Sequence, residues 1–159
     1  MATSSGTATV TTPSDTEILI TRVFDAPRHL VFEAMTRPEH VRRWWGPRGT
    51  NLSSCEIDFR VGGSWRYVME VGGTELAWHG EYREIDAPER IVSTEVYEGF
   101  PDAESVNTVT LTEEDGKTTL TTTVLHTSRE NRDGHLESGM EGGMQETFDR
   151  LEELLQTLK

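Results

Sequence analysis

One cysteine, Cys55, is all the thiol the chain contains. It cannot close an internal disulfide, and it removes the paired thiolates that CxxC redox motifs and most structural zinc sites require. Basic charge is also scarce: 15 Lys and Arg stand against 28 Asp and Glu, for a formal net charge of -13. Phosphates are repelled by that average field, so nucleic acid and anionic membrane surfaces are not expected partners. No apolar run approaches the roughly 20 residues of a membrane span, and no secretory leader pattern opens the chain. With a lone thiol suited to a reducing compartment, a cytoplasmic protein without membrane insertion is the expectation.

The sequence also lacks the local signatures of common enzyme classes. P-loop, HExxH, CxxC and nucleophile-elbow patterns are missing, and Gly62-Gly63 and Gly72-Gly73 sit between strand-like segments as hairpin turns, not at a strand-to-helix phosphate loop. The histidines, His29, His40, His79, His126 and His135, have no ligand spacing, so no metal and no cofactor are expected.

What is present is one medium-sized domain's worth of alternating segments. Residues 1–16 are small and hydroxylated and read as a flexible N-terminal leader, part of which has room to add an edge strand. Residues 17–159 read as a single domain. Glu17 to Phe24 alternates as a strand, and Asp25-Ala26-Pro27 then opens a short helix from about Arg28 to Met35. A second short helix runs through Glu39 to Trp45 and stops at Gly46-Pro47. Six further strands are predicted: Leu52–Arg60, Ser64–Val71, Glu75–Ile85, Arg90–Tyr97, Val106–Thr112 and Thr118–His126. Ser128 to Ser138 should link the last strand to the final helix and carry its start.

That final helix, Met140 to Leu158, organises the rest. Met140, Met144, Phe148, Leu151, Leu155 and Leu158 recur at helical spacing, with glutamates on the opposite side. A helix with one apolar face must lie on something, and the only large partner available is the set of strands. An α+β fold follows, with a bent antiparallel sheet against a long C-terminal helix.

Residues able to line a space between helix and sheet are identifiable by parity. Trp65, Tyr67 and Met69 share one strand face, and Trp78 and Tyr82 share a face of the next, opposite Met140, Met144 and Phe148. They either wall an apolar pocket or fill a closed core. His79 or His126 is a candidate hydrogen-bond partner for a pocket ligand, and Glu81 and Glu95 could enter with Arg66 or Arg83 as a polar cluster. Adjacent helical residues point about 100° apart, so of Trp44 and Trp45 one can enter the core while the other gates a cavity or meets a partner. The threonine-rich strands are taken as water-facing.

The run Ile20-Thr21-Arg22-Val23-Phe24-Asp25-Ala26-Pro27, then Val31-Phe32, Thr36-Arg37-Pro38-Glu39 and Trp44-Trp45-Gly46-Pro47, resembles the opening of START-like (SRPBCC) proteins related to the activator of the heat-shock-protein-90 ATPase. Gly62-Gly63-Ser64-Trp65, His79-Gly80-Glu81-Tyr82-Arg83-Glu84-Ile85, Pro88-Glu89-Arg90-Ile91 and the closing helix extend the likeness to residue 158. The resemblance implies a helix-grip fold, often built around a hydrophobic cavity. It does not imply chaperone activation, which in eukaryotic co-chaperones uses an additional N-terminal domain, and it carries over no catalytic motif.

Three functional readings follow. Binding of a small hydrophobic or aromatic molecule leads, with no assigned catalysis. A cyclase or hydrolase acting on a polyketide-like compound is the alternative, and needs a pair such as His79/Glu81 or Arg66/Glu95 aimed inward. A protein-interaction or chaperone-associated module would use the Arg42-Arg43-Trp44-Trp45 surface. A homodimer is compatible with an exposed aromatic patch, although no heptad seam is present.

Overall fold

The computed structural model describes residues 7–159. Its strands are β1 (Thr9–Thr11), β2 (Glu17–Phe24), β3 (Leu52–Ile57), β4 (Ser64–Val71), β5 (Thr74–Asp86), β6 (Arg90–Tyr97), β7 (Ser105–Glu114) and β8 (Lys117–Leu125). Helices α1 (Arg28–Thr36) and α2 (Pro38–Trp44) follow β2, and α3 (Arg129–Glu137) and α4 (Met140–Leu158) close the chain. All pairings are antiparallel, in the order β1-β2-β8-β7-β6-β5-β4-β3. The bent sheet and long terminal helix are those expected from the sequence.

Bending is written into the strands. Register shifts interrupt β3 between Leu52 and Ser54 and β5 between Tyr82 and Glu84, and bulges of this kind curve a ladder. At Gly80 the neighbouring backbone comes so close that a Cβ would sit 1.8 Å from the Thr94 carbonyl oxygen. Only glycine fits there.

The concave face holds α4 by its C-terminal half. Leu151 and Leu155 are fully buried, Leu154 nearly so, and Phe148 meets Phe24 of β2 edge to face at 5.6 Å. Arg22, buried on β2, reaches Asp149 at 2.9 Å and lies over the Phe24 ring. Each such leucine contributes about 1.5–3 kcal/mol of burial, so this end of the helix is a fixed anchor.

Residues 9–11, part of the segment read as a leader with room to add an edge strand, form edge strand β1, and Ala8 before it is buried. The Gln145 side chain of α4 secures this segment, donating to the Ala8 carbonyl at 2.8 Å and accepting from its amide at 3.1 Å. Part of that expectation, residues 1–6, lies outside the described residues. One sequence expectation is corrected: Ser128 to Ser138 holds a separate helix and not the start of α4. Ser128 caps α3 by accepting from the Asn131 amide at 3.0 Å, and Gly139, left-handed at φ 83°, breaks the chain direction before α4 begins.

Replacing Leu151 with alanine should cost about 2–5 kcal/mol of stability, because the site is fully buried and the anchor cannot collapse around it. Urea unfolding of L151A against the parent checks this; a loss below about 1 kcal/mol would contradict the anchor.

Candidate functional site

The N-terminal half of α4 stands away from the sheet. Gly143 carries no side chain to fill the gap, and Met140, Met144 and Thr147 face it without being fully buried. The result is a cavity of about 600 Å³, a size suited to a small organic molecule. Met35 and the aromatic side chains of β4 and β5 form one wall, α4 a second, and the inner faces of β6, β7 and β8 the floor.

Most residues singled out in the sequence meet here. Trp65, Tyr67, Met69, Trp78, Tyr82, Met140, Met144 and Phe148 all line the space. The rings interlock: Trp45 lies edge-on to Tyr67 at 5.1 Å and to Trp78 at 4.8 Å, and Trp65 tilts against Tyr67 at 4.6 Å. Such contacts prefer offset and edge geometry, which fixes the wall's shape. Of the tryptophan pair, Trp44 is buried and donates its indole N–H to the Ala34 carbonyl at 2.8 Å, while Trp45 is half-buried beside the mouth.

The mouth loop is tied to the helix. Arg150 of α4 donates to the carbonyls of Gly46 at 2.9 Å, Pro47 at 3.1 Å, Thr50 at 3.3 Å and Arg43 at 3.1 Å. Gly46, at φ 105°, holds a backbone conformation that L side chains rarely adopt, and a Cβ there would crowd the Met69 methyl at 2.5 Å. Arg48 adds an ion pair to Glu153. The rim that carries Trp45 is therefore positioned by α4 itself.

His79 is not part of this chamber. Strand alternation that sends Trp78 inward sends His79 out, where its Nδ1 meets Glu98 at 2.9 Å beside a two-pronged Arg66–Glu98 bond. Arg66 and then His79 hold the Glu98 carboxyl down to about 2. Glu81 and Arg83 are exposed as well. Neither inward pair imagined from the sequence, His79/Glu81 or Arg66/Glu95, exists.

Glu95 alone of that group turns inward. Its Oε1 accepts from the Asn107 side-chain amide at 3.0 Å, and Ser93, Asn107 and Thr122 share the floor with it. Burial pushes the Glu95 carboxyl up, and the Asn107 bond pulls partly back. Tyr67 is raised well above its usual range by burial first, with the charges of Tyr82, Cys55 and Glu95 adding to it. Burial also lifts the Cys55 thiol to about 11, against the pull of Arg42, which leaves it an inert thiol.

The polar floor was missed as a set. Ser93 and Glu95 share parity with buried Ile91, and that was the available signal. Thr122, read as water-facing, shares parity with buried Leu120 and Val124.

At the α3 end, His135 lines the cavity and pairs with His126, Nε2 to Nδ1 at 3.0 Å. Burial, with His135 and Arg132 nearby, pushes His126 down to about 4, and burial lowers His135. The pair is thus held neutral. Among the described residues no group of three or more His, Cys, Asp or Glu side chains is placed to hold a metal ion.

A bent antiparallel sheet closed around a long helix, with a chamber between them, defines a START-like, helix-grip protein. The chain belongs to the family described as activator of Hsp90 ATPase homolog 1-like protein, whose model matches residues 25–156. A Rhodobacter sphaeroides protein of known structure is 25% identical, covering 95% of this chain and 99% of its own, with a TM-score of 0.89. Protein Ms6760 from Mycobacterium smegmatis is 27% identical over 94% of this chain and 97% of its own, with a TM-score of 0.83. A Staphylococcus epidermidis protein is 27% identical over 95% of each chain, with a TM-score of 0.81. No curated protein matches the sequence.

The histidine pair makes a pH prediction. A histidine whose folded pKa is depressed binds fewer protons folded than unfolded, so stability rises with pH across the interval between the two values. For His126 that interval runs from about 4 to the ordinary 6.5. Stability should therefore fall as pH drops from 6.5 toward 4. Glu98, lowered from 4.5, begins to add its own loss only below 4.5, and Glu95, raised from 4.5, acts with the opposite sign above it. Urea midpoints between pH 6.5 and 5 should decline in the parent and decline less in H126Q/H135Q; equal slopes would contradict the buried neutral pair.

Proposed function

We propose that the protein binds a small hydrophobic or aromatic molecule in the chamber between the sheet and α4, without catalysis. The observation that carries this reading is the cavity of about 600 Å³ whose wall is built from Trp45, Trp65, Tyr67, Trp78 and Tyr82 opposite Met140, Met144 and Phe148. Flat rings offer large apolar contact at low entropic cost, and the methionines adapt to the ligand's outline. Family membership supports a ligand chamber in general.

The competing readings lose their specific residues. Catalysis on a polyketide-like compound relied on His79, Glu81 and Arg66, which instead face solvent, and Glu95, the inward member, takes an amide partner from Asn107. A docking surface at Arg42-Arg43-Trp44-Trp45 loses its aromatic anchors, since Trp44 is in the core and Trp45 rests on Tyr67 and Trp78. Among the described residues no helix is long and apolar enough to cross a membrane.

Gly143 provides a test that separates binding from stability. A Cβ there meets only Pro47, at 3.6 Å, and the position lines the cavity. Gly143→Leu should raise stability by up to about 0.5–1 kcal/mol, because a good helix former replaces a glycine inside the first turns of α4. The same side chain should occupy the entrance and weaken aromatic ligands at least tenfold. Urea unfolding of parent and G143L measures the first effect, and amide chemical shifts during titration of both with an apolar aromatic library measure the second. An absence of ligand-induced shifts across the library would count against the proposal.

A further inference from the structure

Among the described residues Glu95 is the single carboxylate on the cavity lining, and neither lysine nor arginine lines the space with it. Among the described residues no ion pair reaches it, and its one hydrogen bond, from Asn107, occupies Oε1 alone. Glu95 lines the chamber, and its Oε2 retains acceptor capacity. A carboxyl group removed from water is costly unless a cation or hydrogen-bond donors compensate it. The surrounding surface suits a cation: Tyr67 is close enough for Glu95 to perturb its titration, Trp45 and Trp65 pack against Tyr67, and Trp78 packs against Trp45. Aromatic faces attract ammonium groups, more strongly when water is excluded. The overall charge of -13 favours approach of a positive ligand and disfavours an anionic one.

We propose that the chamber's ligand is an aromatic or apolar molecule carrying a basic nitrogen, with the protonated amine bound to Glu95 at the floor and the ring system lying against the tryptophan-tyrosine wall. This rests on the ligand-chamber reading above and specifies the chemistry of what the chamber takes. Asn107 is assigned as a positioning residue, holding one carboxyl oxygen so that the other points at the ligand. Ser93 and Thr122 offer hydroxyl acceptors for remaining ammonium protons.

A matched pair of probes tests it. 2-Naphthylmethylamine and 2-naphthylmethanol have nearly the same shape, and at pH 7 the first is a cation and the second is neutral. Calorimetric titration of the parent should show the amine binding at least about tenfold tighter, as charge-assisted hydrogen bonds and cation–π contacts together allow. Glu95→Gln keeps the volume and an oxygen for Asn107, so E95Q should unfold near the parent temperature and bind both probes with similar affinity. Equal affinities in the parent, or an amine preference that survives in E95Q, would overturn the proposal while leaving the chamber reading intact. Failure of both probes to bind the parent would overturn the chamber reading and this inference with it.

Discussion

The burial of one half of α4 is the constraint on which the rest depends. Leu151, Leu154 and Leu155 fill the concave side of the sheet, with Phe148 against Phe24 and Asp149 reaching the buried Arg22. The other half begins at a left-handed glycine, carries two more, and packs less completely. Because the anchored end sets the helix's position over the sheet, the unfilled end is held open instead of collapsing. Curvature at Gly80 and at the β3 and β5 bulges supplies the depth. The chamber is the consequence of a helix that is apolar along its length but packed tightly along only part of it.

The same helix also controls the entrance. Arg150 gathers carbonyls from the segment after α2, so that Trp45 and Pro47 are fixed relative to Met140 and Met144 across the opening. A guanidinium suits this task because its planar fork reaches several acceptors at once. Burial and the nearby Arg48 lower its pKa, with Glu153 opposing them, yet an arginine so shifted remains charged at neutral pH. Wall, mouth and anchor are thus linked through one element, which makes α4 the route by which any change in the chamber reaches the rest of the fold.

Much of this was legible in the residues. Period-two alternation at Trp65, Tyr67 and Met69, and helical spacing at Met140, Met144 and Phe148, placed them on opposite walls of one space, because those periodicities follow from backbone geometry alone. The split of Trp44 and Trp45 between core and mouth was foreseeable for the same reason. His79 faces out although its neighbour Trp78 lines the chamber; the alternation that sent one inward required the other to face out. The polar floor was harder to see. Thr122 resembles its solvent-facing neighbours in type, and Asn107 acquires its role only when β6 and β7 pair and set it diagonal to Glu95. The break at Gly139 was hidden because glycine near a helix start signals looseness, and only its left-handed backbone shows it as a joint between two helices.

The central claim is that space, not packed side chain, lies between the N-terminal half of α4 and the sheet. Xenon binds preformed apolar cavities through dispersion and needs no polar partner. A crystal of the protein pressurised with xenon should show the gas among Trp78, Met144 and Phe148. An empty map there, with those side chains closed on one another, would contradict the account.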